Sequence, residues 1–143
     1  MIDLLGSYIL RDAKTKKDLV EMRKILELDA VRLACTRAGT RHFEEMERIL
    51  DSAWDKLERG EIPWEEDYLF HRVICRSSRN SVLHRIWAPL VEYSGGIRKD
   101  SIAREGRARI AHQEHVQVME AIREGNAVKA MEYMKVHLDN SML

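Results

Sequence analysis

Apolar residues recur at three- and four-residue spacings through most of this chain, which is the pattern of amphipathic helices. A first helix is predicted over residues 16–38, and its apolar stripe stops at Gly39. Thr40 is a suitable N-cap for a second helix, which ends at Gly60. No segment shows sustained alternation of apolar and polar residues, so no β-sheet is expected.

Four further helices and a short N-terminal segment complete the predicted architecture. Residues 1–16 are either a linker or an extra N-terminal helix, and residues 17–143 form one helical domain. The later helices are predicted from Pro63 to about Ser77, from the N-cap Asn80 to a kink or end at Pro89, from Ile97 or Arg104 to Glu124, and from the Gly125-Asn126 cap to about Asn140. The predicted fold class is therefore all-α, an antiparallel helical bundle of six to seven helices.

Composition and charge exclude several classes of protein. The 143 residues contain 24 Lys and Arg against 24 Asp and Glu, so the chain alone lacks the clustered positive field that DNA binding requires. No apolar run approaches the ~18 residues of a membrane-spanning helix, and there is no signal-peptide pattern, so no membrane association is expected. Cys35 and Cys75 cannot form a disulfide framework, which favours a reducing cytoplasm as the location.

Four polar side chains are predicted to face the interior of the bundle. Asp67 and His71 are spaced i,i+4 on the third helix, in a row that continues to Cys75. His115 lies in the middle of an apolar stripe on the fifth helix, and His137 lies on the apolar side of the last helix. Burying such groups unpaired is costly, so we expect them to bond to one another or to hold an ion.

The turn between the last two helices brings two of these residues to one level. His115 lies ten residues before Gly125 and His137 twelve after it. At about 1.5 Å per residue, both stand roughly 15 to 18 Å from the turn and can share a ligand. One carboxylate and three neutral imidazoles suit Zn²⁺, Ni²⁺, Mn²⁺ or Fe²⁺, and ligand type alone does not choose among these ions.

Each of these residues also has a purely structural interpretation. A single inward histidine is more often bonded to a backbone carbonyl than to a metal, so a core hydrogen-bond network is the alternative to a metal site. Cys75 is interpreted as a small core residue, and His112 as a surface residue or a support for a ligand. Arg23 and Glu27 could form a plain surface salt bridge. The tryptophans are expected in the core or as dimer anchors: Trp54, Trp64 and Trp87. Candidate dimer contacts are the exposed parts of the first and fourth helices, around Trp87 and Tyr93.

A series of short motifs resembles one family of domains. In chain order the motifs are Glu21-x-Arg23-x3-Glu27, Asp67-x-x-Phe70-His71, Ser78-Arg79-Asn80-x-x-Leu83, His115-x5-Ala121-Ile122, Gly125-Asn126-x3-Ala130 and His137-Leu138. Their order and spacing resemble the C-terminal effector-binding (FCD) domain of FadR-type transcriptional regulators in the GntR family. The resemblance covers residues from about 18 to 140.

This resemblance implies a homodimeric all-α bundle with a pocket for a small organic acid. In many members the pocket holds a divalent metal bound by one Asp and three His, and the matching positions are Asp67, His71, His115 and His137. Zinc is the first choice for the metal, with nickel, manganese or iron as alternatives. The members that bind acyl-CoA lack this set of residues, so its completeness here argues against that branch.

Two more positions and one missing domain follow from the resemblance. Arg23 matches an arginine at the pocket, where it could pair with a carboxylate of the effector, and Asn80 matches an asparagine at a pocket or cap position. Regulators of this family carry an N-terminal winged helix-turn-helix domain, which has no counterpart in this sequence. We therefore expect DNA binding only through a domain outside this chain.

These observations favour a metal-dependent sensor domain that is not an enzyme. One alternative is a helical-bundle hydrolase or oxygenase that uses the same Asp/His site, with Glu65 or Glu66 as the base. The usual signs of such enzymes, such as His-Glu-x-x-His or Glu-x-x-His, are absent from the sequence. A third interpretation is that a metal only staples the bundle together.

Overall fold

The computed structural model describes residues 13–93 and 102–141, and in these ranges it contains helices and no strands. The six helices are α1 (Ala13–Arg37), α2 (Thr40–Glu58), α3 (Trp64–Ser77), α4 (Ser81–Tyr93), α5 (Arg107–Arg123) and α6 (Ala127–Ser141). The predicted all-α bundle is confirmed. None of the helices in these ranges combines the length and the apolar character needed to cross a lipid bilayer.

Helix α1 occupies the centre of the bundle, because it packs against α3, α4, α5 and α6. Helices α5 and α6 form an antiparallel hairpin, and α2 packs against α3 and α5. Each large apolar side chain that these contacts remove from water contributes about 1.5 to 3 kcal/mol. The bulkiest of the fully buried apolar residues are Trp87, Phe70, Met46, Ile74, Ile122, Met134 and Leu138.

Two of the predicted helix caps are confirmed by their hydrogen bonds. Asn80 Oδ1 accepts bonds from the backbone N–H groups of Val82 and Leu83, both at 3.1 Å, which starts α4. Gly125 has a left-handed backbone (φ 71°) and ends α5. Asn126 then starts α6 by accepting a bond from the Lys129 N–H at 3.1 Å. This short connection fixes the register of the hairpin.

The predicted cap of α2 is wrong by one residue. Gly39 is the N-cap, and Thr40 is the first helical residue. His42 Nδ1 accepts a hydrogen bond from the Gly39 N–H at 3.0 Å, which joins the N-cap residue to the first turn of the helix. A side chain at position 39 would also crowd Arg79, whose Nη2 would lie 3.1 Å from the added Cβ.

Helix α4 continues past Pro89 to Tyr93, so of the two predicted alternatives, a kink or an end at Pro89, the end is wrong. A proline inside a helix costs about 3 kcal/mol, because it removes one backbone hydrogen bond and crowds the preceding turn. Trp87 and Val91, on either side of Pro89, are fully buried. Their burial outweighs the local cost, so tertiary packing sets the length of this helix.

Two predicted helix starts also differ from the structure. Helix α5 begins at Arg107, because Gly106 has φ 76° and cannot belong to the helix; Ile97 lies outside the described residues. The described part of helix α1 begins at Ala13, three residues before the predicted start at residue 16. The rest of the N-terminal segment, residues 1–12, also lies outside the described ranges.

The tryptophans divide between the core and the surface. Trp87 is fully buried, which confirms the core alternative for this residue. Trp64 is half-buried. Trp54 is 43 % exposed and lies under the guanidinium of Arg109, whose Cζ is 5.5 Å from the ring centroid. Only Trp87 therefore anchors the core.

Candidate metal centre

The four side chains that were predicted to face inward meet at one point between α3, α5 and α6. The Nε2 atom of His71 lies 3.2 Å from that of His115 and 3.1 Å from that of His137. The Nε2 atoms of His115 and His137 are 3.1 Å apart. Asp67 Oδ1 lies 3.5 Å from His115 Nε2 and 3.8 Å from His71 Nε2. All four residues are buried.

Local helix geometry explains this convergence. Asp67 and His71 are one turn apart on α3, so both carboxylate and imidazole project from the same face. The tight turn at Gly125 places His115 and His137 at the same height along the hairpin. Their Nε2 atoms are 3.1 Å apart, which confirms the predicted pairing across the hairpin. Two short-range features of the sequence thus fix the geometry within each pair of residues.

Hydrogen bonds at the other ring nitrogen fix the tautomers of two histidines. His71 Nδ1 bonds to Oε1 of the fully buried Glu27, and His137 Nδ1 bonds to Oε1 of Glu114 at 2.7 Å. An ionised carboxylate only accepts hydrogen bonds, so Nδ1 of each ring must carry the hydrogen. The Nε2 atom of each ring therefore presents a lone pair to the centre of the cluster.

Neighbouring charges keep these two carboxylates ionised although they are buried. Burial acts to raise the pKa of Glu27, but Arg23 and His71 outweigh burial and hold that pKa far below its usual range. Burial also acts to raise the pKa of Glu114, but hydrogen bonds, first of all the one from His137, lower it to about 2. Both groups therefore accept hydrogen bonds as carboxylates at neutral pH.

Two histidines of the cluster, His115 and His137, favour the neutral form. Burial lowers the pKa of His115 well below its usual value, and the rings of His137 and His71 lower it further. Burial likewise lowers the pKa of His137, although Glu114 partly opposes this effect. A neutral imidazole is the form that binds a metal ion.

The donor atoms fit a divalent metal ion. With Zn–N bonds of about 2.0 to 2.1 Å, two nitrogens on one ion lie roughly 3.0 to 3.4 Å apart. The three Nε2–Nε2 distances of 3.1 to 3.2 Å fall inside this range. The Nε2 atoms of His71 and His137 lack a hydrogen and cannot hydrogen-bond to each other, so their lone pairs, 3.1 Å apart, repel unless a cation lies between them. Three imidazoles and a carboxylate are suitable ligands for such a cation.

A small cavity opens beside the cluster. Its volume of about 20 Å³ is enough for about one water molecule. Two guanidinium groups lie in its wall, those of Arg23 and Arg107, which are only 7 % and 8 % exposed. Asp67, His71 and His137 also line it, so any molecule in the cavity would meet the candidate ligands and the two arginines together.

Arg23 lies at the cavity, as the resemblance implied. Its Nε donates to Glu27 Oε2 at 2.5 Å, and both side chains are buried, so the interpretation of this pair as a surface salt bridge is wrong. Within residues 13–93 and 102–141, no hydrogen-bond partner is found for its two terminal nitrogens. These nitrogens are available to an anion in the cavity.

Two buried residues of the site, Glu114 and Arg107, were missed in the sequence, and a third, Glu27, was named there but interpreted as part of a surface salt bridge. The signal that could have found them is their position on the apolar stripes. Glu27 lies between Leu26 and Ala30 on the buried face of α1. Arg107 and Glu114 lie four residues before and three residues after Ala111 on the buried face of α5. Charged residues on such a stripe are rarely buried unless they are paired.

The remaining candidates lie away from the centre. Asn80 caps α4, is exposed, and does not line the cavity. The Nε2 atom of His112 bonds to the Leu50 carbonyl oxygen at 3.0 Å, which is a structural role. Cys75 is fully buried, and burial raises the pKa of its thiol well above the usual value, as expected for a core residue.

Known proteins resemble this chain along nearly its whole length. A family model of the FCD domain matches residues 18–140. The HTH-type transcriptional regulator LutR of Bacillus subtilis (strain 168) is 25 % identical over 141 residues, which are 95 % of this chain and 64 % of LutR.

Solved structures share the fold. A GntR protein of Streptococcus agalactiae superposes with a TM-score of 0.79 and 22 % identity, over 95 % of this chain and 62 % of that protein. McbR/YncC of E. coli gives a TM-score of 0.78 and 17 % identity, over 90 % of this chain and 66 % of that protein. The chain thus spans a little under two thirds of the length of LutR and of the streptococcal protein. The family match, the fold and the order of the motifs agree: the chain belongs to the FCD domain family, the C-terminal effector-binding domain of GntR-type transcriptional regulators, which is a regulatory and not an enzymatic family.

Proposed function

We propose that this chain is a metal-dependent sensor of a small organic acid. In this proposal Asp67, His71, His115 and His137 hold a divalent metal ion, with zinc as the first choice, and Arg23 binds a carboxylate of the effector. The observation that supports it best is the convergence of three histidine Nε2 atoms and one carboxylate beside a cavity whose wall contains a buried arginine.

The chemistry of the cavity favours an anion. A bound divalent metal would supply open coordination positions that accept an oxygen of a carboxylate. The terminal nitrogens of Arg23 have the fork geometry that pairs with a carboxylate, and burial strengthens such a charge-assisted bond. We therefore expect small carboxylic or hydroxycarboxylic acids as effectors.

The size of the cavity links binding to a change of shape. At about 20 Å³ the cavity is too small for even a three-carbon acid, so its walls must move apart when an effector enters. Ile102 and Arg107 form the part of the wall contributed by the start of α5 and the residues just before it. An effector that requires a wider cavity favours one arrangement of the helices over another.

The proposed biological role extends this change to the whole regulator. We propose that the domain forms a homodimer in the cytoplasm and that DNA is bound by an N-terminal winged helix-turn-helix domain outside this chain. The effector would then alter the relative positions of the two DNA-binding domains. It can shift this equilibrium only by the difference between its affinities for the two arrangements.

Calorimetric titration of the zinc-loaded domain with a panel of small acids tests the proposal. At least one monocarboxylic, dicarboxylic or hydroxycarboxylic acid should bind, and Arg23→Gln should weaken binding about 10- to 100-fold, the cost of a charge-assisted hydrogen bond. Arg32→Gln is the matched control, because Arg32 lies on the same helix but is exposed and pairs only loosely with Asp29 at 3.4 Å. Binding of zinc without any acid would reduce the metal to a structural staple and contradict the sensor role.

A further inference from the structure

A buried carboxylate stands behind His71. Glu27 is fully buried on α1, and its Oε1 bonds to His71 Nδ1, on the side of the ring opposite to the metal-binding nitrogen. Its other oxygen, Oε2, accepts a hydrogen bond from Arg23 Nε at 2.5 Å. The three side chains form a continuous chain from the cavity wall, through Glu27, to the centre of the cluster.

The same arrangement recurs behind His137. Glu114 Oε1 accepts bonds from His137 Nδ1 at 2.7 Å and from Arg107 Nη2 at 2.5 Å. Its Oε2 accepts a third bond from Asn140 Nδ2 at 2.9 Å. Arg107 Nη2 also donates to Ser141 Oγ at 2.7 Å, so both ends of this chain are anchored.

The two chains are built from unrelated parts of the sequence. Glu27 and His71 are 44 positions apart on α1 and α3, whereas Glu114 and His137 are 23 positions apart on α5 and α6. Two different pairs of helices thus form the same arrangement, a histidine bonded to a carboxylate that is bonded to an arginine. His115 is held differently, since its ring stacks on that of Phe70 with 4.5 Å between the centroids.

Stability alone does not account for these charges. Replacing a buried ion pair by apolar side chains of similar volume is often neutral or stabilising. Four charged residues of the site are each at most 8 % exposed: Arg23, Glu27, Arg107 and Glu114. Removing their charges from water lowers the free energy of unfolding. A role in orienting the rings of His71 and His137 would explain why the site contains these buried charges.

We infer that Glu27 and Glu114 are positioning residues of the metal centre, which act through His71 and His137, and that Arg23 and Arg107 hold the two carboxylates in place. Each carboxylate selects the tautomer with hydrogen on Nδ1, fixes the plane of the ring and increases the basicity of Nε2. The inference rests on the proposed function, because it requires that the cluster binds a metal.

Zinc affinity of the metal-free domain, measured by competition with a chelator of known affinity, tests this role. Glu114→Ala should raise the Kd for zinc about 10- to 100-fold. Glu114→Gln should recover part of the loss, since its amide oxygen still accepts the bond from His137 Nδ1 but carries no charge. The visible spectrum of bound Co²⁺ should change in Glu114→Ala, because the ring of His137 is no longer fixed.

Glu66→Gln provides the matched control. Glu66 is a buried carboxylate (6 % exposed) next to Asp67, and it bonds to Ser52 Oγ at 2.9 Å and Lys56 Nζ at 3.0 Å instead of to a histidine. Its substitution should leave the zinc Kd and the Co²⁺ spectrum unchanged. Circular dichroism of each variant checks that the helices form.

Nuclear magnetic resonance adds a measurement that does not depend on bound metal. In the metal-free wild type, the ¹⁵N shifts of His137 should show hydrogen on Nδ1, and in Glu114→Ala they should show a mixture of tautomers. If wild type binds zinc while Glu114→Ala keeps the same Kd and the same tautomer, the inference is wrong and the proposed function stands. If wild type binds no zinc, the proposed function fails and the inference fails with it.

Discussion

The two ends of this bundle have interiors of opposite chemistry. Near the turn that joins α5 to α6, the interior is apolar, with residues such as Ala34, Ile122 and Ala130 almost completely buried. Near the start of α5 and the end of α6, the same helices bury charged and titratable side chains, including Arg107 and His137. The same helices therefore enclose an apolar interior at one end and a polar, charged interior at the other.

This difference separates what stabilises the fold from what the domain does. Apolar burial supplies the main favourable term of folding, at about 25 cal/mol per Å². Burying charges costs free energy, and their pairing returns little of it. The apolar end therefore carries most of the stability, and in our proposal the polar end serves binding, so the two ends should respond differently to substitution.

The largest expected effect is a truncation at the apolar end. Ile122→Ala removes buried methyl groups next to the hairpin turn and should lower the free energy of unfolding by about 2 to 5 kcal/mol. Zinc stoichiometry should stay unchanged, because Ile122 is two turns from His115 on α5. Urea denaturation and metal analysis measure the two quantities. Val128→Ala, at a position 80 % exposed, is the control and should change neither.

Metal binding should stabilise the fold from the polar end. Zinc at about 100 times its Kd should add roughly 2.7 kcal/mol to the free energy of unfolding. For a domain of this size, that corresponds to a rise in Tm of about 10 °C. Differential scanning calorimetry with and without zinc measures the rise, and a chelator should reverse it. An equal rise in His71→Ala would show that zinc acts elsewhere.

The polar end should also make the metal-free domain sensitive to acid. Burial depresses the pKa of His115 and His137 below the value of 6.5 expected in the unfolded chain. Below about pH 6.5 the unfolded chain therefore binds more protons than the folded chain does, and the free energy of unfolding falls as the pH drops. Urea denaturation between pH 7.5 and 5, conditions chosen around that value, should show this fall. The fall should be shallower in His115→Gln, and equal slopes would contradict the explanation.

The smallest effect is expected at a helix cap remote from the cluster. Asn80→Ala removes the acceptor for the Val82 and Leu83 N–H groups and should cost about 1 kcal/mol of stability. Zinc and acid binding should be unaffected, since Asn80 does not line the cavity. A loss of acid affinity in this variant would instead support the effector contact that the family resemblance implies for this position.

The parts of the site that follow from local geometry could be predicted from the sequence. The i,i+4 spacing of Asp67 and His71 and the level of His115 and His137 across a short hairpin depend only on the rise and pitch of a helix. The glycine at position 125 predicted the turn of the hairpin, because a left-handed backbone favours this residue type. These signals predict the two pairs, whereas the meeting of the two pairs depends on how α3 packs against the α5–α6 hairpin.

Other features depend on contacts between distant segments and could not be predicted in the same way. Glu27 meets His71 across 44 positions, so its pairing is invisible to any short-range pattern. Pro89 is an unfavourable helix residue that tertiary packing around Trp87 and Val91 overrides. Gly106 was overlooked as a helix boundary because it stands among charged residues rather than at the end of an apolar stripe.

Elemental analysis of protein purified without chelator tests the central claim most directly. Wild type and His115→Ala should be prepared in parallel, with circular dichroism to check that both are folded. Our account predicts nearly one divalent metal ion per chain in wild type and almost none in the variant. Folded wild-type protein that contains no metal and takes up none from added zinc would contradict it, and the four residues would then be a hydrogen-bonded part of the core.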